Sequence, residues 1–106
     1  MNNKILEKIR KFTSDRNWEQ FHTGENLAKS ISIEAAELLE HYQWSSDVTN
    51  IDALKEEIAD ILIYSIMFAD KYNFEVDEII LSKIEKNENK YPIKKSYGNS
   101  KKYNEL

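Results

Sequence analysis

The chain has 106 residues, room for one domain, with 32% charged residues, two Gly, one Pro and a net charge of −4. That balance speaks against binding a nucleic-acid polymer, and the lack of cysteine excludes disulfides and thiol chemistry. Scarce Gly and Pro with helical periodicity throughout argue for an all-α fold, a bundle of four to five helices treated as a single domain over residues 1–106. Its helical core spans about 3–91 and a Lys-rich tail 92–106. The tail carries Lys94, Lys95, Lys101 and Lys102 against Glu105, a balance of +3 that leaves −7 on the remainder. Met1-Asn2-Asn3-Lys4 leads into an amphipathic pattern and not an apolar signal region, which points to the cytoplasm.

Ile5, Ile9 and Phe12 predict a first helix over 3–13, broken by Thr13-Ser14-Asp15. Residues 16–25 have no clear period and read as a loop holding Trp18, Phe21, His22 and Gly24. A long helix follows over about 25–43, with Thr23 as a possible cap. Its apolar stripe is read as Ala28, Ile31, Ala35, Leu38 and Tyr42. At about 100° per residue, Glu34 then lies roughly 70° from the stripe centre and Glu37 about 130° away. Glu40 falls nearly opposite, as ordinary surface.

Trp44-Ser45-Ser46-Asp47-Val48-Thr49-Asn50 is rich in turn formers and long enough to bring the next helix back antiparallel. Asn50 or Asp52 begins that helix, which runs over about 52–72. From Ile58 to Ala69 its only charge is Asp60. A helix apolar nearly all round is buried in its own bundle or in a subunit interface, so the chain is expected to be a homodimer or homotetramer. Twelve residues are too few to cross a bilayer, which excludes a membrane segment.

The last helix, over about 76–90, opens after Glu75 with Asp77 and Glu78 in its first turn. Val76, Ile80 and Ile84 form its inner stripe, on which Lys83 and Asn87 also fall one turn apart. Such residues either reach the surface or meet a ligand, Lys83 as a point charge for phosphate and Asn87 as a hydrogen bonder. Residues 91–106 read as extended or mobile.

Two acid pairs carry the chemistry. Glu34 with Glu37, and Glu57 with Asp60, are each three apart on a helix, so each pair shares a face. Brought together across antiparallel helices, four carboxylates repel one another unless cations sit among them, and all-oxygen sites suit Mg²⁺ or Mn²⁺. Acids on helices are more often a solvated face; Asp60, embedded in apolar sequence, is the departure from that rule. Trp18, Phe21 and Trp44 can stack a base, although each alone is more often core. His22 alone is more often a structural hydrogen bonder than a catalyst.

Glu-x-x-Glu, 19 intervening residues and Glu-x-x-Asp resemble the metal site of the MazG-like, all-α nucleoside triphosphate pyrophosphohydrolases. Trp18-Glu19-Gln20-Phe21-His22, Asn26-Leu27-Ala28, Gln43-Trp44, Tyr64, Lys83, Asn87 and Lys90-Tyr91-Pro92 follow the family's order, so the resemblance covers nearly the whole chain. It implies Mg²⁺-dependent hydrolysis of a nucleoside triphosphate between the α and β phosphates, giving the monophosphate and pyrophosphate. By the same resemblance, Glu34, Glu37, Glu57 and Asp60 hold the metal, and Glu37 or Glu57 orients the attacking water. Trp18, His22, Trp44 and Tyr64 line the base and sugar pocket, and Lys83, Asn87 and Lys90 meet the phosphates. The small dCTP-pyrophosphatase-like members are similar, which leans the substrate toward pyrimidine deoxynucleotides. Gly24-Glu25 departs from the Pro and basic residue often found there, so phosphate contact from that loop is not implied. Two other readings stand beside this one: phosphoribosyl-ATP pyrophosphohydrolase on a related helical fold, and a non-catalytic oligomerisation or regulatory module.

Overall fold

The computed structural model describes residues 3–106 and contains five α-helices and no strand among them. The helices are α1 (Asn3–Asp15), α2 (Gly24–Glu40), α3 (Ile51–Lys71), α4 (Val76–Lys90) and α5 (Ile93–Ser96), with 3₁₀ turns at Glu19–Phe21 and Tyr103–Glu105. None of them is long and apolar enough to cross a membrane. The chain divides into two compact units, Met1–Phe74 and Glu75–Leu106.

In the first unit, local chemistry sets the helix ends. The Thr23 hydroxyl accepts a hydrogen bond from the Asn26 amide at 3.1 Å, and Asn50 Oδ1 accepts one from the Ala53 amide at 3.1 Å. Each cap satisfies an otherwise orphaned donor and contributes about 1 kcal/mol. Helices α1 and α3 both stop on an asparagine in the left-handed region, Asn17 at φ 53° and Asn73 at φ 58°. The amides that follow fold back in the same way. Trp18 N–H donates to the Thr13 carbonyl and Asn17 N–H to that of Ser14; Phe74 N–H donates to the Ala69 carbonyl and Asn73 N–H to that of Asp70. This is the Schellman ending, with asparagine in the place glycine usually takes.

Helices α2 and α3 pack most extensively on each other, and α1 contacts α3. Leu27, Met67 and Ala69 form the buried apolar core, and Thr13 is buried beside them, its hydroxyl satisfied by the Arg10 carbonyl at 2.9 Å. The inward face of α2 comprises Leu27, Ser30, Ile31, Glu34, Leu38 and His41, while Ala28, Ala35 and Tyr42 are exposed. The expected stripe is therefore rotated by part of a turn. Both arcs of α2 are apolar, and the larger leucine at 27 gains more from burial than the alanines at 28 and 35.

Gly24 opens α2 where Tyr72 crosses it: a β-carbon there would collide with the Tyr72 hydroxyl oxygen. The Tyr72 ring is itself packed against Phe68 and Phe74, at centroid distances of 5.0 and 5.7 Å.

Helix α3 is less enclosed than its sequence suggests. Ile58, Asp60, Leu62 and Ile63 are exposed in this single chain.

In the second unit, Glu75 caps α4 by accepting from the Glu78 amide at 2.8 Å, and α4 keeps the expected bounds. It buries no residue: Ile80 and Ile84 are exposed and Val76 half-buried, so no inner stripe is covered. The tail is more ordered than expected. Pro92 starts the short α5, and the Tyr91 ring meets Tyr103 edge to face at 6.3 Å.

Candidate cation site and adjoining cleft

Glu34 and Glu37 stand on α2, Glu57 on α3, at similar distances from the loop joining the two helices. One carboxylate oxygen from each lies within 4.8 Å of the others. Neighbouring antiparallel helices bring such positions together. Glu34 and Glu57 are half-buried, and Glu37 is exposed.

The electrostatics of this group are unfavourable as it stands. Burial, then a hydrogen bond shared with Glu37, then the charges of Glu37, Asp60 and Glu57 push the Glu34 carboxyl up to about 7. Glu34 Oε2 and Glu57 Oε2 are both buried without a hydrogen-bond partner. A buried carboxylate oxygen with no partner is costly, and converging hard oxygens are the donor set of a hard divalent cation. The residues present fit such an ion.

Asp60, the fourth acid, is not one of the three converging groups. It sits one turn beyond Glu57 and lines a cleft of about 460 Å³. Its charge still reaches Glu34. The cleft lies between α1 and α3. Ile5, Lys8, Ile9, Phe12 and Thr13 come from α1, Trp18 and His22 from the following segment, and Ile63, Tyr64 and Met67 join Asp60 from α3. Phe12 meets Trp18 edge to face at 5.6 Å, and Trp18 meets His22 in the same manner at 6.4 Å. The volume suits a small organic ligand, with apolar walls and a few polar groups to fix orientation.

Of the residues expected at a substrate site, Trp18, His22 and Tyr64 thus share one cleft with Asp60. Trp44 does not line it. It is 89% exposed on the α2–α3 connection, and Phe21 is also exposed outside the cleft. Lys83, Asn87 and Lys90 belong to the second unit, where all three are exposed, and Lys90 Nζ lies 5.0 Å from the Tyr103 ring centroid.

Sequence reasoning missed two polar residues. Lys8 lines the cleft; its only advance signal is that it neighbours Ile5 and Ile9 on α1. His41 ends α2 and places Nε2 3.7 Å from Glu57 Oε1. A histidine at the close of the acid-bearing helix is the signal that was available for it.

Fold and site together define an all-helical protein in which converging carboxylates fit a divalent cation and adjoin a cleft of small-molecule size. The chain belongs to the MazG-like family, whose model matches residues 29–106. It is similar to the dCTP pyrophosphatase 1 of Mus musculus and of Homo sapiens, 35% identical to each over 114 residues, covering 95% of this chain and 67% of theirs. It is also similar to a pyrophosphatase of Archaeoglobus fulgidus known from its crystal structure. That match has 40% identity and a TM-score of 0.77, over 85% of this chain and 91% of the other.

Proposed function

We propose that this protein is a nucleoside triphosphate pyrophosphohydrolase that works with Mg²⁺, or Mn²⁺ in its place, and prefers pyrimidine deoxynucleotides. One observation carries the reading: three carboxylates converge, those of Glu34 and Glu57 each with a buried, unpartnered oxygen, and Asp60 links them to an aromatic-walled cleft. The relatives named dCTP pyrophosphatase support the reaction class and the base preference.

Glu34, Glu37, Glu57 and, from one turn further along α3, Asp60 would hold the ion. Bound there, Mg²⁺ would supply positive charge to offset that of the phosphate oxygens. Glu37 or Glu57 accepts a hydrogen bond from the attacking water and aims its oxygen at the α phosphorus. The bond to the β-phosphate oxygen then breaks, and the monophosphate and pyrophosphate leave, with the water's proton neutralised by a carboxylate or by solvent. Trp18 and Tyr64 hold the base by stacking, and His22 hydrogen-bonds base or sugar. Lys83, Asn87 and Lys90 are the second unit's candidates for phosphate contact. Positioning and fixed charge supply most of the catalysis in such chemistry, and a helical frame serves both.

The two units act as one catalytic domain, a reading supported by a family match that spans both. The protein works as a homo-oligomer, supported by the exposed Ile33 and Leu39 of α2 and Ile58 and Leu62 of α3. Light scattering at micromolar concentration tests this, and a monomer would refute it.

The decisive experiment is a pyrophosphate-release screen over the common ribo- and deoxyribonucleoside triphosphates, with phosphoribosyl-ATP alongside. Release from a deoxypyrimidine nucleotide, abolished by chelation and by Glu57→Gln, is expected. No release above the metal-free control would reject the proposal.

A further inference from the structure

We propose that His41 is a positioning residue for Glu57, turning its carboxylate so that one oxygen is held ready for the divalent cation. The inference rests on the cation-site reading above and deepens it. The two oxygens of Glu57 have different surroundings. Oε1 stands 3.7 Å from His41 Nε2, whereas Oε2 is buried with no hydrogen-bond partner. A carboxylate on a three-torsion side chain has no reason to keep an orphaned oxygen inward unless something holds the group. The imidazole is the one nitrogen-bearing side chain recorded within ion-pair distance of Glu57 among the described residues.

Both side chains are mostly enclosed, at 25% and 21% exposure, so their relative placement is set by packing and not by solvent. His41 is also fixed from its own backbone. It ends α2, its N–H donating to the Leu38 and Leu39 carbonyls, one turn beyond Glu37. One helix end thus presents Glu37 to the ion and His41 to the carboxylate arriving from α3. Groups that orient a ligating carboxylate from behind typically govern metal affinity by 10- to 100-fold. His41 is not itself placed among the ligands, and the effect needs only an N–H directed at Oε1.

The test is the Mg²⁺ dissociation constant, read by titration calorimetry on the metal-free, full-length protein without nucleotide. His41→Leu and His41→Ala both remove the nitrogen but leave different bulk, so either one that stays folded by circular dichroism suffices. The expected result is Mg²⁺ binding weakened about tenfold or more. His41→Gln, which keeps a side-chain N–H, should recover most of the loss. A purely structural role would not distinguish glutamine from leucine in this way. Folded His41→Leu or His41→Ala with the parent dissociation constant overturns the inference while leaving the cation site standing. Absence of Mg²⁺ binding in the parent protein overturns both.

Discussion

The Arg10 guanidinium of α1 grips the Asp70 carboxylate of α3 with two hydrogen bonds, Nε to Oδ2 at 3.0 Å and a terminal nitrogen to Oδ1 at 2.5 Å. The pair ties α1 to α3. Two-pronged geometry makes it stronger than an ordinary surface pair, though partial exposure screens it. The Arg10 hydrogen bond, with a smaller contribution from its charge, holds the Asp70 carboxyl below the usual carboxylate range. A depressed folded-state value means stability that is present above the ordinary carboxylate range and lost as pH falls through the lowered one. Asp70→Asn should therefore lower the melting temperature by a few degrees at pH 6 and flatten the acid limb. Urea unfolding from pH 2 to pH 6 measures both, and an unchanged acid limb would show the pair to be idle.

Glu34 gives the opposite slope at higher pH. Its carboxyl is raised to about 7, first by burial, then by the Glu37 hydrogen bond and the neighbouring charges. A raised value makes the protonated group favour the folded state, so its contribution is full below the ordinary carboxylate value and is lost as pH rises through about 7. Metal-free protein should melt lower at pH 8 than at pH 5. Glu34→Gln should abolish most of that difference and raise the pH 8 melting point. Scanning calorimetry with chelator reads it directly, and equal pH profiles for the two proteins would contradict the convergence of acids.

Cation binding and that proton compete for the same carboxylate. Mg²⁺ added at pH 6.5 should expel protons from Glu34, and much less so at pH 8.5, with affinity rising between the two. Calorimetry in two buffers of different ionisation heat gives the number released. At a hundredfold excess over its dissociation constant, the ion should stabilise the fold by about 2.7 kcal/mol. Proton release that persists in Glu34→Gln would assign the effect to another group.

The aromatic residues separate by location. Trp18→Ala removes a cleft wall and should raise the nucleotide KM roughly tenfold or more, from a stacking loss of about 1–3 kcal/mol. Trp44→Ala, outside the cleft, should change KM by much less. Equal effects would mean that the base also contacts the α2–α3 connection.

Leu27 is 1% exposed, the most enclosed large side chain described. Leu27→Ala should cost about 2–5 kcal/mol in urea unfolding, since α2 and α3 cannot fully collapse around the void. A loss under 1 kcal/mol would place the core elsewhere.

Helix starts were readable because the capping signals are local. Thr23, Asn50 and Glu75 act on amides two or three residues away, and the observed starts fall within a residue or two of the expected ones. The convergence of Glu34, Glu37 and Glu57 was readable from spacing plus one connecting loop. The face of α2 was not. Ile33, Ala35, Ala36 and Leu39 make a second apolar arc, and only contact with α3 chooses between the two. Lys8 was hidden because its cleft exists only once α1 lies on α3. His41 was hidden because its partner is 16 positions away, on another helix. The tail's order comes from Pro92 and a Tyr91–Tyr103 contact that no local period announces.

The bare α-carbon at position 24 lets the two main helices close up at the end where Tyr72 lies across the start of α2. Any added side chain there would push on the phenol end of Tyr72, whose ring packs against Phe68 and Phe74. The closeness of the two helices at that end is thereby set by a residue that has no chemistry of its own.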